Sequence, residues 1–226
     1  MTHKKRFGSA LLAGAVMSAV MSAMMGGWNT MAAAQTMQKT EKPDTKLHLR
    51  SLDYAVTYTA ERTKIAPSNC GCFWLNGGSG DVAATFYRGL GIAGNLTLNH
   101  ASDITPGVNL SQFILMAGPR YTFDSSRWTE RGFAKKHATY LFGEWLLGGV
   151  HAYNSVFPSS AGTTPSASAF SMQLGGGANM ELKKGWGLRL LELDYVRTTL
   201  PNNGSNSQND LRIGFGVSYR QKTTRR

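Results

Sequence analysis

Apolar and polar residues alternate along most of the chain from Asp53 onward, most clearly between Ser168 and Glu181. One side of this segment carries Phe170, Met172, Leu174, Gly176, Ala178 and Met180, and the other carries Ser171, Gln173, Gly175, Gly177, Asn179 and Glu181. Successive side chains of a β-strand point to opposite faces, so this period of two predicts a strand with one apolar and one polar face.

The same period recurs in seven further segments, which brings the predicted number of strands to eight. The last segment alternates Leu211, Ile213, Phe215, Val217 and Tyr219 with Arg212, Gly214, Gly216, Ser218 and Arg220. The other predicted strands are 54–61, 81–88, 92–100, 110–123, 138–151 and 187–199. None of these segments contains the roughly 20 consecutive apolar residues of a transmembrane helix, so a helical membrane protein is not predicted.

An even number of antiparallel strands can close into a barrel that leaves no strand edge unpaired. In hydrocarbon each unpaired backbone N–H or C=O group costs several kcal/mol, so membrane sheets must close. We therefore predict an all-β fold, an eight-stranded antiparallel up-and-down transmembrane β-barrel. A soluble, lipocalin-like barrel with its apolar face inward shows the same alternation. Aromatic residues near the predicted strand ends favour lipid on the outside instead; they are Tyr54, Tyr121, Phe123, Trp186, Tyr195 and Tyr219.

The polar face, which this arrangement turns inward, carries charges of both signs. These charged residues are Glu61, Arg120, Glu144, Glu192, Asp194 and Arg212. The interior of an eight-stranded barrel is filled by side chains, and an unpaired charge there is costly. We predict that the six residues form a charge network that plugs the lumen. The alternative is that several of them lie at strand ends in water.

The predicted connections alternate between short and long. Segments 88–92 and 183–185 are tight, whereas 65–80, 101–109, 152–167 and 200–209 are long and rich in Gly, Ser, Asn, Thr and Pro. Short periplasmic turns and long external loops are typical of membrane barrels. Segment 124–137 departs from this arrangement, because it is long and charged where a short turn is expected.

The N-terminal segment predicts export. A basic start (Lys4, Lys5, Arg6) precedes an apolar stretch, and Ala32 to Ala34 before Gln35 offer a cleavage site for signal peptidase. We predict a signal peptide at 1–34, a polar periplasmic lead-in at 35–52, the barrel at 53–221 and a basic tail at 222–226. A membrane-anchoring helix fits less well, because the apolar stretch is short and a cleavage site follows it.

The formal net charge of +11 raises the question of nucleic acid binding. That function needs a basic face or a recognised motif, and the basic residues are instead scattered over turns and tails. No nucleic acid partner is predicted. Gly89, Gly91 and Gly94 spell G-x-G-x-x-G, but residues 95–99 alternate as a strand where a dinucleotide site needs a helix. No cofactor or metal is predicted either.

Two cysteines, Cys70 and Cys72, lie in the first long loop beside Phe73 and Trp74. Two cysteines do not complete a four-ligand zinc site, and in an oxidising compartment they can form a loop disulfide. A bond to another chain is the alternative.

Catalysis is not predicted, although His100 and His151 fall near external strand ends with Ser155, Ser159 and Ser160 close to His151 in sequence. No carboxylate is placed to orient either histidine, and the serines belong to a low-complexity loop.

The signal peptide, the eight alternating strands and the last strand together resemble the OmpA-like family of eight-stranded outer-membrane β-barrels, over roughly residues 53–219. In the last strand, Arg212, Gly214, Val217 and Tyr219 follow a polar-x-Gly-x-x-apolar-x-aromatic pattern. This pattern resembles the signal that the barrel assembly machinery reads. The resemblance implies location in the bacterial outer membrane and an assembly signal at Gly214, Val217 and Tyr219.

The expected function is a structural, adhesion or surface-interaction role carried by the external loops of a monomeric barrel. The expected partners are outer-membrane lipid and lipopolysaccharide, the barrel assembly machinery and an unknown surface ligand. A narrow channel for small solutes is the first alternative, and a lipid-modifying enzyme is the second.

Overall fold

The computed structural model describes residues 48–64, 72–125, 137–202 and 206–223, and these residues form eight antiparallel strands. The strands are β1 Ser51–Lys64, β2 Cys72–Tyr87, β3 Leu90–Thr105, β4 Val108–Asp124, β5 Thr139–Ser159, β6 Gly162–Lys183, β7 Trp186–Thr198 and β8 Gln208–Lys222. Each strand pairs with its neighbours in sequence, and β1 also pairs with β8. Tyr54 shows the closure, because it lies opposite Val82 of β2 and Tyr219 of β8. The predicted eight-stranded up-and-down barrel is confirmed.

The two faces of the barrel have the predicted polarity. On β1, Val56 is 67% exposed, whereas its neighbour Thr57 is 1% exposed. Every strand contributes large apolar side chains to the outer surface, and we call this surface the apolar belt. Its members include Val56, Tyr58, Val82, Leu98, Leu115, Trp145, Leu174, Leu193 and Phe215. An apolar band of this kind on the outside of a barrel suits lipid, and the soluble, lipocalin-like alternative is wrong.

The described part of the chain contains no helix with the length and apolar character that a membrane-crossing helix needs.

The beginning of β1, the end of β8 and two short turns all lie at the same end of the barrel. Arg88 and Gly89 connect β2 to β3, and Lys184 and Gly185 connect β6 to β7. All four residues have positive φ, between 49° and 94°. This backbone matches the twist of antiparallel strands in a two-residue hairpin turn. We call this the short-turn end.

Two of the predicted long loops are instead extensions of the strands. β3 and β4 meet at a turn of Pro106 and Gly107, and β5 and β6 meet at Ser160 and Ala161. Within the second hairpin, Phe157 pairs with Thr164. The expected loops at 101–109 and 152–167 were wrong because these hairpins are rich in Gly, Ser, Thr, Asn and Pro. Their few buried apolar residues, such as Ala101 and Phe157, are too sparse to show a regular period.

Several predictions fall on residues that the structure does not describe. They concern the signal peptide at 1–34, residues 35–47 of the lead-in at 35–52, most of the charged segment 124–137, Cys70, and the last three residues of the basic tail.

The apolar belt predicts how the protein behaves in solution. The chain starting at Gln35, refolded in detergent, should give a strand-rich circular dichroism spectrum. It should also run as a faster band on a gel when it is not boiled, because the closed barrel resists unfolding by the gel detergent. A chain that stays dissolved without detergent and shows no mobility shift would contradict this reading of the faces.

Candidate functional site: the lumen and the external surface

Arg189 of β7 is buried in the lumen, and its guanidinium group donates four hydrogen bonds. Nη1 donates to Oδ2 of Asp81 and, at 3.0 Å, to Oε2 of Glu192. Nη2 donates to Oδ1 of Asp81 at 3.2 Å, and Nε donates to Oδ1 of Asn179 at 3.1 Å. The residues are buried, so these contacts replace the water that a charged group loses on entering the interior.

Asp81 is shared by a second guanidinium, that of Arg120. Arg120 Nη1 donates to Oδ1 of Asp81 at 2.8 Å and lies 3.6 Å from Oε2 of Glu144. Both guanidinium groups cover the ring of Phe142, with their central carbons 3.8 Å (Arg120) and 4.6 Å (Arg189) from its centroid. A single carboxylate on β2 therefore joins cations from β4 and β7 above one aromatic ring.

Arg212 of β8 extends the network toward the external end. Its Nε donates to Oδ2 of Asp194 at 3.1 Å, and Nη1 donates to the Thr97 hydroxyl at 3.0 Å. Nη2 donates to Oε1 of Gln173, whose amide nitrogen donates in turn to Oε1 of Glu144 at 2.9 Å. The groups around Arg120 and Arg212 are thus linked through Gln173.

The structure buries all six residues that the sequence placed in the lumen. Five of them are connected with Asp81, Arg189 and Gln173, and we call this connected set the lumen network; the five are Arg120, Glu144, Glu192, Asp194 and Arg212. Glu61 lies beside it, where it accepts a hydrogen bond of 3.0 Å from the amide of Asn99. At the short-turn end, Asp53 and Arg220 form a separate ion pair.

Sequence reasoning missed Arg189 because of a β-bulge. The register of β7 against β8 shifts between Arg189 and Glu192, and both intervening leucines, Leu190 and Leu191, face outward. If the side chains alternated strictly from the inward-facing Glu192 back along the strand, Arg189 would face outward. The adjacent leucine pair was the signal that could have revealed the shift.

Asp81 was missed for a different reason. It shares its parity with the inward-facing Ala83, but it stood at the start of the predicted strand, where a charge is expected to reach water. The structure begins β2 nine residues earlier, at Cys72, so Asp81 lies deep in the strand.

Three carboxylates of the lumen network could approach one cation. Oxygen atoms of Glu144, Glu192 and Asp194 all lie within 4.8 Å of one another. Arg189 and Arg212 already bind two of these carboxylates, so guanidinium groups supply the positive charge there.

Outward-facing polar residues follow the apolar belt on its external side, and we call them the polar collar. They are Arg62, Asn76, His100, Ser111, His151, Ser168, Arg197 and Asn209. Tyrosines of the belt reach up to it: Tyr58 donates to Oδ1 of Asn76 at 3.0 Å, and Tyr195 donates to Oδ1 of Asn209 at 2.6 Å.

Both histidines named from the sequence belong to the polar collar. His100 Nδ1 lies 2.9 Å from the Ser111 hydroxyl, and its Nε2 lies 3.1 Å from the Ser102 hydroxyl. His151 Nδ1 lies 2.8 Å from the hydroxyl of Ser168. The serines that the sequence suggested, Ser155, Ser159 and Ser160, lie in the distal part of the β5–β6 hairpin or its turn, and other serines make the contacts.

The remaining sequence motifs have the following positions. Gly91 and Gly94 lie inside β3, a strand, so no helix N-terminus follows the G-x-G-x-x-G sequence. Cys72 is exposed at the start of β2, and its pairing with Cys70 stays a prediction.

The residues of the expected assembly signal lie in β8. The ring centroid of Tyr219 is 5.1 Å from that of Trp186 and 6.4 Å from that of Tyr54, in an aromatic cluster at the short-turn end. Val217 is exposed in the apolar belt. A Cβ atom at Gly214 would meet Cγ2 of Thr57 at 2.8 Å, so this position favours glycine.

No protein-family model matches the chain, and no curated protein matches it. Among solved structures, the crystal structure of Ail, the attachment invasion locus protein of Yersinia pestis, matches with a TM-score of 0.50 and 16% identity. The match covers 77% of this chain and all of Ail. Neisserial surface protein A matches with a TM-score of 0.49 and 12% identity, over 76% of this chain and 97% of that one. The likeness to Ail shows the fold alone, and it agrees with the closed ring of eight antiparallel strands described above.

The contacts of Arg189 predict a large loss of stability when its side chain is removed. Arg189→Ala leaves Asp81 and Glu192 buried with too few partners, and breaking a buried ion pair from one side typically costs about 3–5 kcal/mol. Urea unfolding of the barrel in lipid vesicles measures this change. Arg197→Ala, at the exposed collar of the same strand, should change the free energy of unfolding by about 0.5 kcal/mol or less. Equal losses in the two variants would show that the lumen network does not stabilise the barrel.

Proposed function

We propose that the chain is a monomeric barrel of the bacterial outer membrane whose lumen is plugged and whose function lies on its external surface. The observation that carries the proposal is the lumen network. Its side chains come from strands on all sides of the barrel, including β2 (Asp81), β4 (Arg120), β7 (Arg189) and β8 (Arg212).

The size of the barrel supports a plugged lumen. The interior of an eight-stranded barrel is just wide enough for side chains to fill it. Here the hydrogen bonds of Arg189, Arg120 and Arg212 cross that interior, so a solute would have to break several buried ion pairs to pass. These contacts favour a surface role over the narrow channel.

The β5–β6 hairpin is the most prominent candidate for contact with a partner. It continues eight residues past His151 before its turn, which is about 25 Å at the usual rise per strand residue. No charged residue occurs from Ala152 to Ala167, where Ser, Thr and Asn are frequent and Tyr153 and Val156 are exposed. An uncharged, hydroxyl-rich arm suits hydrogen bonding to another polar surface, so we assign it the adhesion or surface-interaction role.

The polar collar fits the headgroups of the outer leaflet. Arg62 and Arg197 are exposed just beyond the apolar belt, where they can pair with phosphate groups of lipopolysaccharide. At the other end, the β8 pattern of Gly214, Val217 and Tyr219 is the proposed contact for the barrel assembly machinery.

Conductance tests the plugged lumen directly. The barrel inserted in planar bilayers should give no steady ion current, because the lumen network blocks the path. Arg189→Ala and Arg120→Ala together remove two crossing side chains and should produce a small current in the fraction of protein that folds. A steady current through the unmodified barrel would support the channel instead.

Replacement of the hairpin tip tests the surface role. Residues 155–166 would be exchanged for a two-residue Asn-Gly turn, and the variant displayed on non-adherent bacteria. Adhesion to plates coated with lipopolysaccharide or with extracellular-matrix protein should fall to the level of bacteria without the barrel. A matched change at the short-turn end, Lys184→Asn, should leave adhesion unaltered. If adhesion survives loss of the tip, or never exceeds background, the proposed role of this hairpin is wrong.

A further inference from the structure

His100 is held between two serine hydroxyls on the outer surface of the barrel. Nε2 faces the hydroxyl of Ser102 on the same strand at 3.1 Å, and Nδ1 faces that of Ser111 on β4 at 2.9 Å. Ser102 and His100 are exposed, whereas Ser111 is buried. The reactive pair is therefore accessible, and the third hydroxyl is fixed.

This order of groups is that of a nucleophile, a base and a residue that orients the base. If Nδ1–H donates to Ser111, Nε2 is unprotonated and accepts the proton of Ser102. We propose that Ser102, His100 and Ser111 form a hydrolytic site for carboxylic esters of membrane lipids, with Ser102 and His100 as catalytic residues and Ser111 as a positioning residue. This activity goes beyond the surface-interaction role.

The position of the site selects the substrate class. Leu98 lies two residues before His100 on the same face, and it pairs across the sheet with Phe113 of β4. Both side chains are exposed to the bilayer, at 53% and 39%. An acyl chain lying against them brings its ester group to the level of the polar collar, where His100 is. A lipid acyl ester therefore fits better than a soluble ester.

The reaction balances with water as co-reactant. The Ser102 oxygen forms a bond to the ester carbonyl carbon while its proton moves to Nε2 of His100. The bond from that carbon to the alcohol oxygen then breaks, and the alcohol leaves with the proton from His100. Water, deprotonated by the same nitrogen, releases the fatty acid from Ser102 and restores the hydroxyl group.

The backbone beside Ser102 provides candidate donors for the oxyanion. The pairing of β3 with β4 is interrupted between Ala101 and Thr105, so Ser102 lies outside the regular ladder. N–H groups in this irregular stretch are the ones we assign to the developing negative charge, which in acyl transfer is stabilised by backbone donors.

His151 supplies an internal control. Its Nδ1 also meets a serine hydroxyl, that of Ser168 at 2.8 Å, and its ring stacks with Tyr153 at a centroid distance of 6.0 Å. Among the described residues, no serine hydroxyl lies within hydrogen-bonding distance of its Nε2. His151 thus has an orienting group without a nucleophile.

The experiment uses the chain from Gln35, refolded in vesicles that contain a phospholipid with a fluorescent acyl group, linked either as an ester or as an ether. Release is expected from the ester lipid alone, together with labelling of Ser102 by a fluorophosphonate. Ser102→Ala and His100→Gln should each lower release about 100-fold or more, the usual size of a base or nucleophile effect. His151→Gln and Ser168→Ala should retain it. The gel mobility shift confirms that each variant is folded.

The positioning role of Ser111 is tested by measuring kcat and KM separately. Ser111→Ala should lower kcat with KM nearly unchanged, and Ser111→Thr should recover most of the loss, because threonine keeps the hydroxyl. The proposal is overturned if the folded protein releases no fatty acid, if Ser102→Ala retains activity, or if the His100 and His151 variants lose activity equally.

Discussion

The structure depends on one constraint: in a bilayer, every backbone hydrogen-bonding group must find a partner within the sheet. Pairing of β1 with β8 meets this constraint by closing the ring. Closure fixes which side of each strand meets lipid, so the alternation of side chains becomes a strict division between the apolar belt and the lumen. The charged residues on the inner side then pair with one another and with neighbouring amides and hydroxyls such as Gln173 and Thr97, and the lumen network is the result.

The fold could be predicted from the sequence because alternation is a local property that survives without tertiary information. Ser171, Gln173 and Gly175 alternate with Met172, Leu174 and Gly176, and this separates the two faces. The aromatic residues near the strand ends then indicated which face meets lipid. The register, which is the residue-by-residue pairing of two neighbouring strands, cannot be read from the sequence of one strand. The bulge between Arg189 and Glu192 depends on how β7 pairs with β8, and it moved a central arginine to the face where the sequence did not expect it.

The external features were less predictable for a related reason. The β5–β6 hairpin buries only a few apolar side chains beyond His151, such as Ala152 and Phe157, among many Ser, Thr, Gly and Pro residues. Its strands therefore show turn-like composition and no regular period, and sequence reasoning assigned a loop. The histidines were identified by type, but their partners depend on pairing between strands: His100 reaches Ser111 across the sheet, and His151 reaches Ser168. Serines near in sequence were a poor guide to serines near in space.

The turn of the β5–β6 hairpin also makes the barrel a natural scaffold for displaying foreign peptides. Ser160 and Ala161 are exposed, and Gly162 beside them has room for added atoms around its Cα. Exposed tips with small residues tolerate insertions because no buried backbone bond is broken. An inserted epitope would stand well clear of the lipid headgroups, so antibodies and receptors of large size could reach it.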